Sequence, residues 1–428
     1  MKRATAVVAT ALALVVSPRG IAVARAHPEP PGSPQAIPAP RDQEAPPKVE
    51  PAKSEPHWYD QLRFDLLVDA YASHNYNRPT PQSPTLVENP SDASGAHGGV
   101  AAKSIRGGNQ LRGYDVTNGF ALQWVGLDAA YTVSSFSAVT TLRFGPSANL
   151  LAPPEDISAG LGNVRQAFVS WKALASLTLD LGKYDTPFGA EGLDTSANVN
   201  YTRSAVFWYA QPATHTGLRA TYEASSSLLL QGMVVNGWDS TIPRNAGKSV
   251  GAVVVWKPLE KAKVSAAYMV GPEGSDHEGT PQDQAGVTHR LRHSVDLFFD
   301  AMLTRKWRLF FNIDYVTEKR PPSEHDRQVT WFGSTLTSAY DLRDWLFVAA
   351  RASQFWDEEG FATGTGVSVK MIEGTVTLGL RPVSGFLFML DNRVDATPFA
   401  PLFQTAADRF SHTQVTTTLG FCITTGTH

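Results

Sequence analysis

Acidic and basic side chains recur at alternate positions of short apolar segments, and that spacing limits what they could do. In 291–304, Ser294, Asp296, Asp300 and Thr304 share one parity, and Val295, Leu297, Phe299, Ala301 and Leu303 share the other. In 306–317, Trp307, Leu309, Phe311, Ile313 and Tyr315 alternate with Arg308, Asn312 and Asp314. A β-strand sends successive side chains to opposite faces, so each segment has one polar and one apolar side. Charged groups spread along one face can hydrate a passage and bias it by sign, which is a different task from cleaving a bond. By parity, the residues expected to line such a passage are Asp65, Asp69, Asp180, Asp296, Asp300, Arg308, Asp314, Arg351, Arg381, Asp391 and Arg393. Acids outnumber bases in this set, so a wide passage with a weak cation preference is the expectation.

Other chemistry finds little support. No G-x-S-x-G, H-E-x-x-H or phosphate loop occurs. His57, His74, His97, His215, His277, His289, His293, His325 and His412 are scattered without ligand spacing, so no metal, cofactor or catalytic residue is expected. Asp357-Glu358-Glu359 could hold calcium or bridge lipopolysaccharide cations, although a solvated acidic loop tip is the simpler reading. Cys422, the single cysteine, cannot form an internal disulfide; between Phe421 and Ile423 it reads as a small buried hydrophobe. The stretch 185–213 carries Glu191, Asp194, Asn200, Tyr201, Arg203, Trp208 and Tyr209. Its length and polar-aromatic mix suggest a loop that folds inward and narrows the passage, with Glu191 and Arg203 shaping the field; an outside lid is the alternative.

These segments need a frame to hold them. The chain has 428 residues, 42% hydrophobic and only 18% charged, with a formal net charge of -3. That balance argues against a nucleic-acid partner, which needs a concentrated positive surface. Residues 1–26 read as a secretory signal: Lys2 and Arg3, an apolar run from Ala4 to Val16, and cleavage after Ala24-Arg25-Ala26. Residues 27–57 are proline-rich and should form an extended linker, a spacer or an arm toward cell-wall material. No stretch approaches the ~20 apolar residues of a spanning helix.

Residues 58–428 are expected to be all-β. Sixteen segments show strand character: 62–74, 117–131, 135–145, 163–172, 177–184, 214–223, 228–236, 248–257, 262–271, 291–304, 306–317, 328–341, 345–356, 371–381, 386–395 and 411–424. Connections alternate strictly between long and short, with only Arg305 assigned to the turn after the tenth. An up-and-down antiparallel barrel sorts its loops in this way, with short periplasmic turns, long outside loops and both termini in the periplasm. Hydrocarbon offers no hydrogen-bond partners, so a closed sheet is how such strands cross a membrane. Tyr131, Trp171, Trp256, Trp307 and Trp345 fall beside short turns, and Tyr71, Phe144, Tyr184, Tyr315 and Phe355 near long loops, as two interfacial aromatic bands.

The stretch 182–223, GKYDTPFGAEGLDTSANVNYTRSAVFWYAQPATHTGLRATYE, resembles the bacterial outer-membrane β-barrel porin family, OmpL-like. VDAYASHNYNRP at 68–79, RGYDVTNGFALQWVGLD at 112–128 and VVNGWD at 234–239 fit the same family, and the resemblance runs from about 62 to the C-terminus. Matched positions are Gly189, Glu191, Asn200, Tyr201, Arg203, Ser204, Pro212, His215 and Gly217. The resemblance implies an outer-membrane location and passive diffusion of small hydrophilic solutes or ions, beside membrane lipid and lipopolysaccharide, with an oligomer possible. One departure is that the last aromatic, Phe421, is followed by CITTGTH rather than ending the chain. Two alternatives stand beside the porin: a barrel enzyme acting on lipid, and a structural or adhesive barrel tethered through its proline-rich arm.

Overall fold

The computed structural model describes residues 57–81, 107–275, 280–406 and 409–426. The signal and all but the last residue of the linker, together with His97 and His277, lie outside the described residues. The described residues from 61 onward form one compact unit.

Sixteen strands make a closed antiparallel barrel: β1 (Leu62–Asn75), β2 (Gly119–Val133), β3 (Phe136–Phe144), β4 (Val164–Leu174), β5 (Leu177–Asp185), β6 (Thr214–Ser225), β7 (Leu228–Val235), β8 (Ser249–Leu259), β9 (Ala262–Pro272), β10 (Leu291–Met302), β11 (Trp307–Lys319), β12 (Gln328–Arg343), β13 (Leu346–Asp357), β14 (Val369–Leu380), β15 (Phe386–Ala396) and β16 (Thr413–Gly426). Each pairs with its sequence neighbours. β1 closes the ring on β16, in register from Asp65↔Gly426 to Asn75↔Thr416. Closure removes every sheet edge, so the backbone is satisfied within the wall. All sixteen expected segments are strands. The turn after β10 is wider than the sequence suggested, running over 303–306, where Leu303 and Thr304 amides both donate to the Trp307 carbonyl.

The alternation sets two environments. Outward side chains are large, apolar and exposed, as with Leu181 at 64%, Leu218 at 46% and Val250 at 52%. The neighbouring parity faces inward and is largely buried. Short turns, such as 134–135 and 226–227, share one rim, and the long loops share the other. At the short-turn rim Trp171, Trp256, Trp307 and Trp345 are exposed on the outside, as expected of an interfacial belt. The band near the long loops needs correction. Phe144 and Tyr315 face outward, but Tyr71, Tyr184 and Phe355 are buried inside the wall. Parity, which the earlier assignment by height ignored, decides this.

The interior is packed. One apolar cluster joins Leu111, Trp208, Tyr209 and Trp238 to the wall residues Val316, Trp331, Phe355 and Met371. A second joins Leu193, Val199, Tyr201 and Phe207 to Leu67, Phe298, Phe310, Phe347 and Cys422. Both mix strand residues with loop residues, so connections from the long-loop rim supply much of the filling.

Candidate functional site

The connection 186–213, between β5 and β6, lies against the inner wall. The Ala190 amide donates to Asn312 Oδ1 on β11 (3.0 Å), and Gln211 Nε2 to Asp314 Oδ2 on the same strand (2.8 Å). Between these legs, Asn200 donates to Thr377 on β14 (2.6 Å), and the Thr202 amide to Asp391 on β15 (2.8 Å). Tyr201 donates its hydroxyl to Asp69 on β1 (2.8 Å). Arg351 on β13 reaches Glu191 (2.7 Å), and Arg393 on β15 reaches the Arg203 carbonyl (2.5 Å).

Local sequence explains the loop's shape. Ser204 caps the buried helix Ala205–Ala210 by accepting from the Phe207 amide, leaving Val206, Trp208 and Tyr209 to pack on the wall. Arg203 donates to the carbonyls of Gly192 (2.9 Å), Leu193 (3.0 Å) and Tyr201, and its guanidinium stacks over the Tyr114 ring at 4.1 Å. It therefore clamps the loop onto itself rather than facing a solute. The wall has room where it lacks side chains. A Cβ on Gly420 would stand 1.8 Å from the Tyr201 ring, and one on Gly333 would stand 2.7 Å from a Val206 methyl.

Residues 107–116, from the β1–β2 connection, also turn inward, which the sequence reading missed. Arg112 pairs with Asp115 and with Asp395 of β15, both at 2.6 Å. Arg393 bonds Asp395 (2.8 Å), and Arg351 bonds Glu373 (2.7 Å). These side chains are at most 1% exposed, so the lattice holds loops to wall in a dry setting. Removing one partner there strands a buried charge, at a cost of about 3–5 kcal/mol.

The wall from β2 to β6 is less covered. Arg143 pairs with Asp128 (2.7 Å) and with Asp194 of the inserted loop (2.9 Å), and Arg165 bonds both Asp194 and Asp185. Arg219 pairs with Asp180 at 2.9 Å and stacks on Tyr184. Side-chain exposure here is asymmetric. Asp128, Asp185 and Asp194 are 33%, 30% and 18% exposed, whereas Arg143 and Arg165 are 2% and 12%. Burial alone would raise the Asp194 carboxyl, but Arg165 and Arg143 outweigh it and hold it at about 2. Beside this cluster a cavity of about 30 Å³, lined by Trp124, Arg143, Arg165, Lys183 and Leu193 among others, has room for water.

The expected lining residues divide into groups. Asp69, Asp180, Asp296, Asp314, Arg351, Asp391 and Arg393 face inward but are buried. Asp300 and Arg308 pair at 2.8 Å and keep partial exposure. Asp65 has the inward parity and is exposed at the short-turn end. Arg381 stands beyond the end of β14, over the Phe347 ring at 4.1 Å, and so belongs to the rim. The wide lumen is corrected accordingly: loops cover the inner faces of β10–β16 and β1. Asp128, Arg143, Arg219, Glu373 and Asp395 were missed although strand parity alone places them inward. Glu191, Asp194, Asn200, Tyr201 and Arg203 all lie in the inserted loop. Asp357 accepts from the Phe361 and Thr363 amides of its own loop, and Glu359 from the Thr330 amide on β12. Cys422 is buried on the inner face.

The sequence profile described as Putative beta-barrel porin-2, OmpL-like, matches residues 61–424. No curated protein matches the chain. Among solved structures, the outer membrane channel DcaP of Acinetobacter baumannii superposes with a TM-score of 0.52 at 11% identity, over 85% of this chain and 97% of that one. An anion-selective porin from Comamonas acidovorans gives 0.52 at 10% identity, over 85% and 99%. OmpT of Vibrio cholerae, in a trimer form, gives 0.50 at 12% identity, over 85% and 99%. At such identities the likeness is one of fold. Together with the closed sixteen-strand wall, the profile match places this chain in the OmpL-like family of outer-membrane β-barrel porins.

Proposed function

We propose that the protein is a non-enzymatic channel for passive diffusion of small hydrophilic solutes and ions, narrowed by the loop 186–213 and favouring cations. The observation that carries this reading is the charged cluster around Asp194, where loop meets wall. Its carboxylates are more exposed than the guanidiniums they pair with. A solute passing the Asp194 cluster on β2–β5 therefore meets acidic oxygens first, and low-dielectric surroundings strengthen their field. The loop's seat on β1, β11 and β13–β15 leaves the side that it meets through Asp194 as the path.

In this reading the short turns face the periplasm and the long loops face outside, the arrangement that outer-membrane barrels share. Residues 1–26 direct export, and residues 27–57 form a periplasmic spacer. The exposed apolar outer face meets lipid, and lipopolysaccharide contacts the long-loop rim. Proteoliposomes test the transport claim. Folded protein should let vesicles swell in small neutral sugars, with a rate that falls steeply as solute size increases. Vesicles that stay as tight as protein-free controls would contradict it.

A further inference from the structure

Much of the outer wall carries what hydrocarbon demands. The outward positions 228–234 on β7, 250–256 on β8 and 264–270 on β9 hold only Leu, Val, Ala, Gly, Trp and Tyr. The outer face of β12–β16 departs from this rule. Ser334 on β12 and Gln354 on β13 stand opposite each other, and Gln354 Nε2 donates to Ser334 Oγ (3.3 Å). Asn392 on β15 and Thr417 on β16 also stand opposite each other, and Thr417 donates its hydroxyl to Asn392 Oδ1 (2.9 Å). Both pairs are set within the apolar band. Phe332 and Trp356 lie one pleat nearer the long loops than the first pair, and Leu336 and Ala352 one pleat nearer the short turns. Val394 and Val415 bracket the second pair on one side, and Leu390 and Leu419 on the other.

These pairs leave polar atoms unspent. Asn392 Nδ2 and Gln354 Oε1 have no hydrogen-bond partner among the described residues, and both side chains are exposed. Water would satisfy them, but hydrocarbon offers neither donor nor acceptor, so each amide facing lipid is left short. A second observation concerns shape. Between the two pairs the wall is hollow: Ala350, Ala352 and Gly374 face outward on β13 and β14, and a Cβ on Gly374 would meet nothing within 4 Å. Small residues let a neighbouring wall approach closely enough to bond the amides. A hollow by itself does not select protein over lipid. Gly232, flanked by Ala220 and Ala252, makes a similar one on β6–β8 with no outward amide side chain beside it.

We propose that the outer face of β12–β16 docks a second copy of this chain, through Gln354 and Asn392 and over the hollow at Ala350, Ala352 and Gly374. The chemistry selects the occupant. Lipid tails cannot bond an amide, whereas a carboxamide carries both a donor and an acceptor and so bonds its own kind. Copies in one membrane share an orientation and are related by rotation about the membrane normal, so each residue meets its neighbour's wall at its own height. An amide row set at one height on one copy therefore finds the polar row of the next. This inference rests on the outer face meeting lipid, and does not depend on what the channel conducts.

The test counts copies in lipid vesicles, where no detergent competes for the face. Full folded chains carry one maleimide dye on Val367→Cys, an exposed loop position, while Cys422 is buried on the inner face. At a dilution where chance co-occupancy is rare, chains with wild-type walls should bleach in two or more steps per spot. Gln354→Leu/Asn392→Leu should bleach in single steps and keep the wild-type temperature for losing heat-modifiable mobility on gels, because leucine suits lipid. Gly374→Phe, which fills the hollow, should also bleach in single steps, and Gly232→Phe should match the wild type. If Gly374→Phe does not fold, the double leucine variant decides. Single-step bleaching of the wild type would overturn the proposal. So would multi-step bleaching of the double variant, or equal loss from Gly232→Phe and Gly374→Phe.

Discussion

At Asp194 burial and charge act in opposite directions, and charge prevails. Two guanidiniums on neighbouring strands face one loop carboxylate, which is held at about 2. Its folded value is depressed relative to an unfolded carboxyl near 4, so its stabilising contribution is present above about pH 4. That contribution is lost as pH falls toward 2. Cation preference that depends on this charge follows the folded value, and should therefore be flat from neutral pH down to about 3 and weaken as pH approaches 2. Asp194→Asn should shift the reversal potential in a potassium chloride gradient toward zero and destabilise the barrel by about 1–3 kcal/mol, the usual cost of a buried charged partner left short of a bond. A reversal potential identical to wild type would remove Asp194 from the selectivity argument. Arg203 illustrates the opposite case, because its donors are spent on the loop's own carbonyls.

The strands obey a rule that the sequence displays openly. Water or packed loop on one side and hydrocarbon on the other impose a period of two, which runs through the strands from Leu62 to the C-terminal one and slips at bulges such as that at Gln123. Leu181 and Thr221 make a direct comparison, since Leu181 faces outward on β5 and Thr221 bonds Gln231 across the inner face of β6 and β7. Leu181→Arg should destabilise the folded barrel by about 2–4 kcal/mol, seen as a lower temperature for losing heat-modifiable mobility on gels. Thr221→Arg should leave that temperature near wild type. Equal losses would mean that the faces are misassigned. The same rule explains what could be read and what could not. Strand number, loop order and the inward parity of Asp69 or Arg393 are local. Whether Tyr71 or Asp391 meets water or a packed loop depends on where 107–116 and 186–213 settle, and those contacts are non-local, from Tyr114 to Asp69 (45 apart) to Arg393 to Arg203 (190 apart). The turn at 303–306 misled for a smaller reason: Leu303 and Thr304 continue the alternation after the ladder has ended.

At the scale of the whole molecule, a sixteen-strand wall is wide enough to enclose an aqueous channel, and inserted segments decide how much of it stays open. Here most of their bonds go to β1, β11 and β13–β15, Asp194 reaches β3 and β4, and the half-exposed charges gather around it. Single-channel conductance in planar bilayers tests this division most directly. The comparison is between the wild type and a variant in which 194–208 is replaced by a short glycine-serine bridge, once gel mobility shows that the variant has folded. The account predicts well-defined current steps for the wild type and severalfold larger steps for the variant. Equal steps from the two proteins would contradict it.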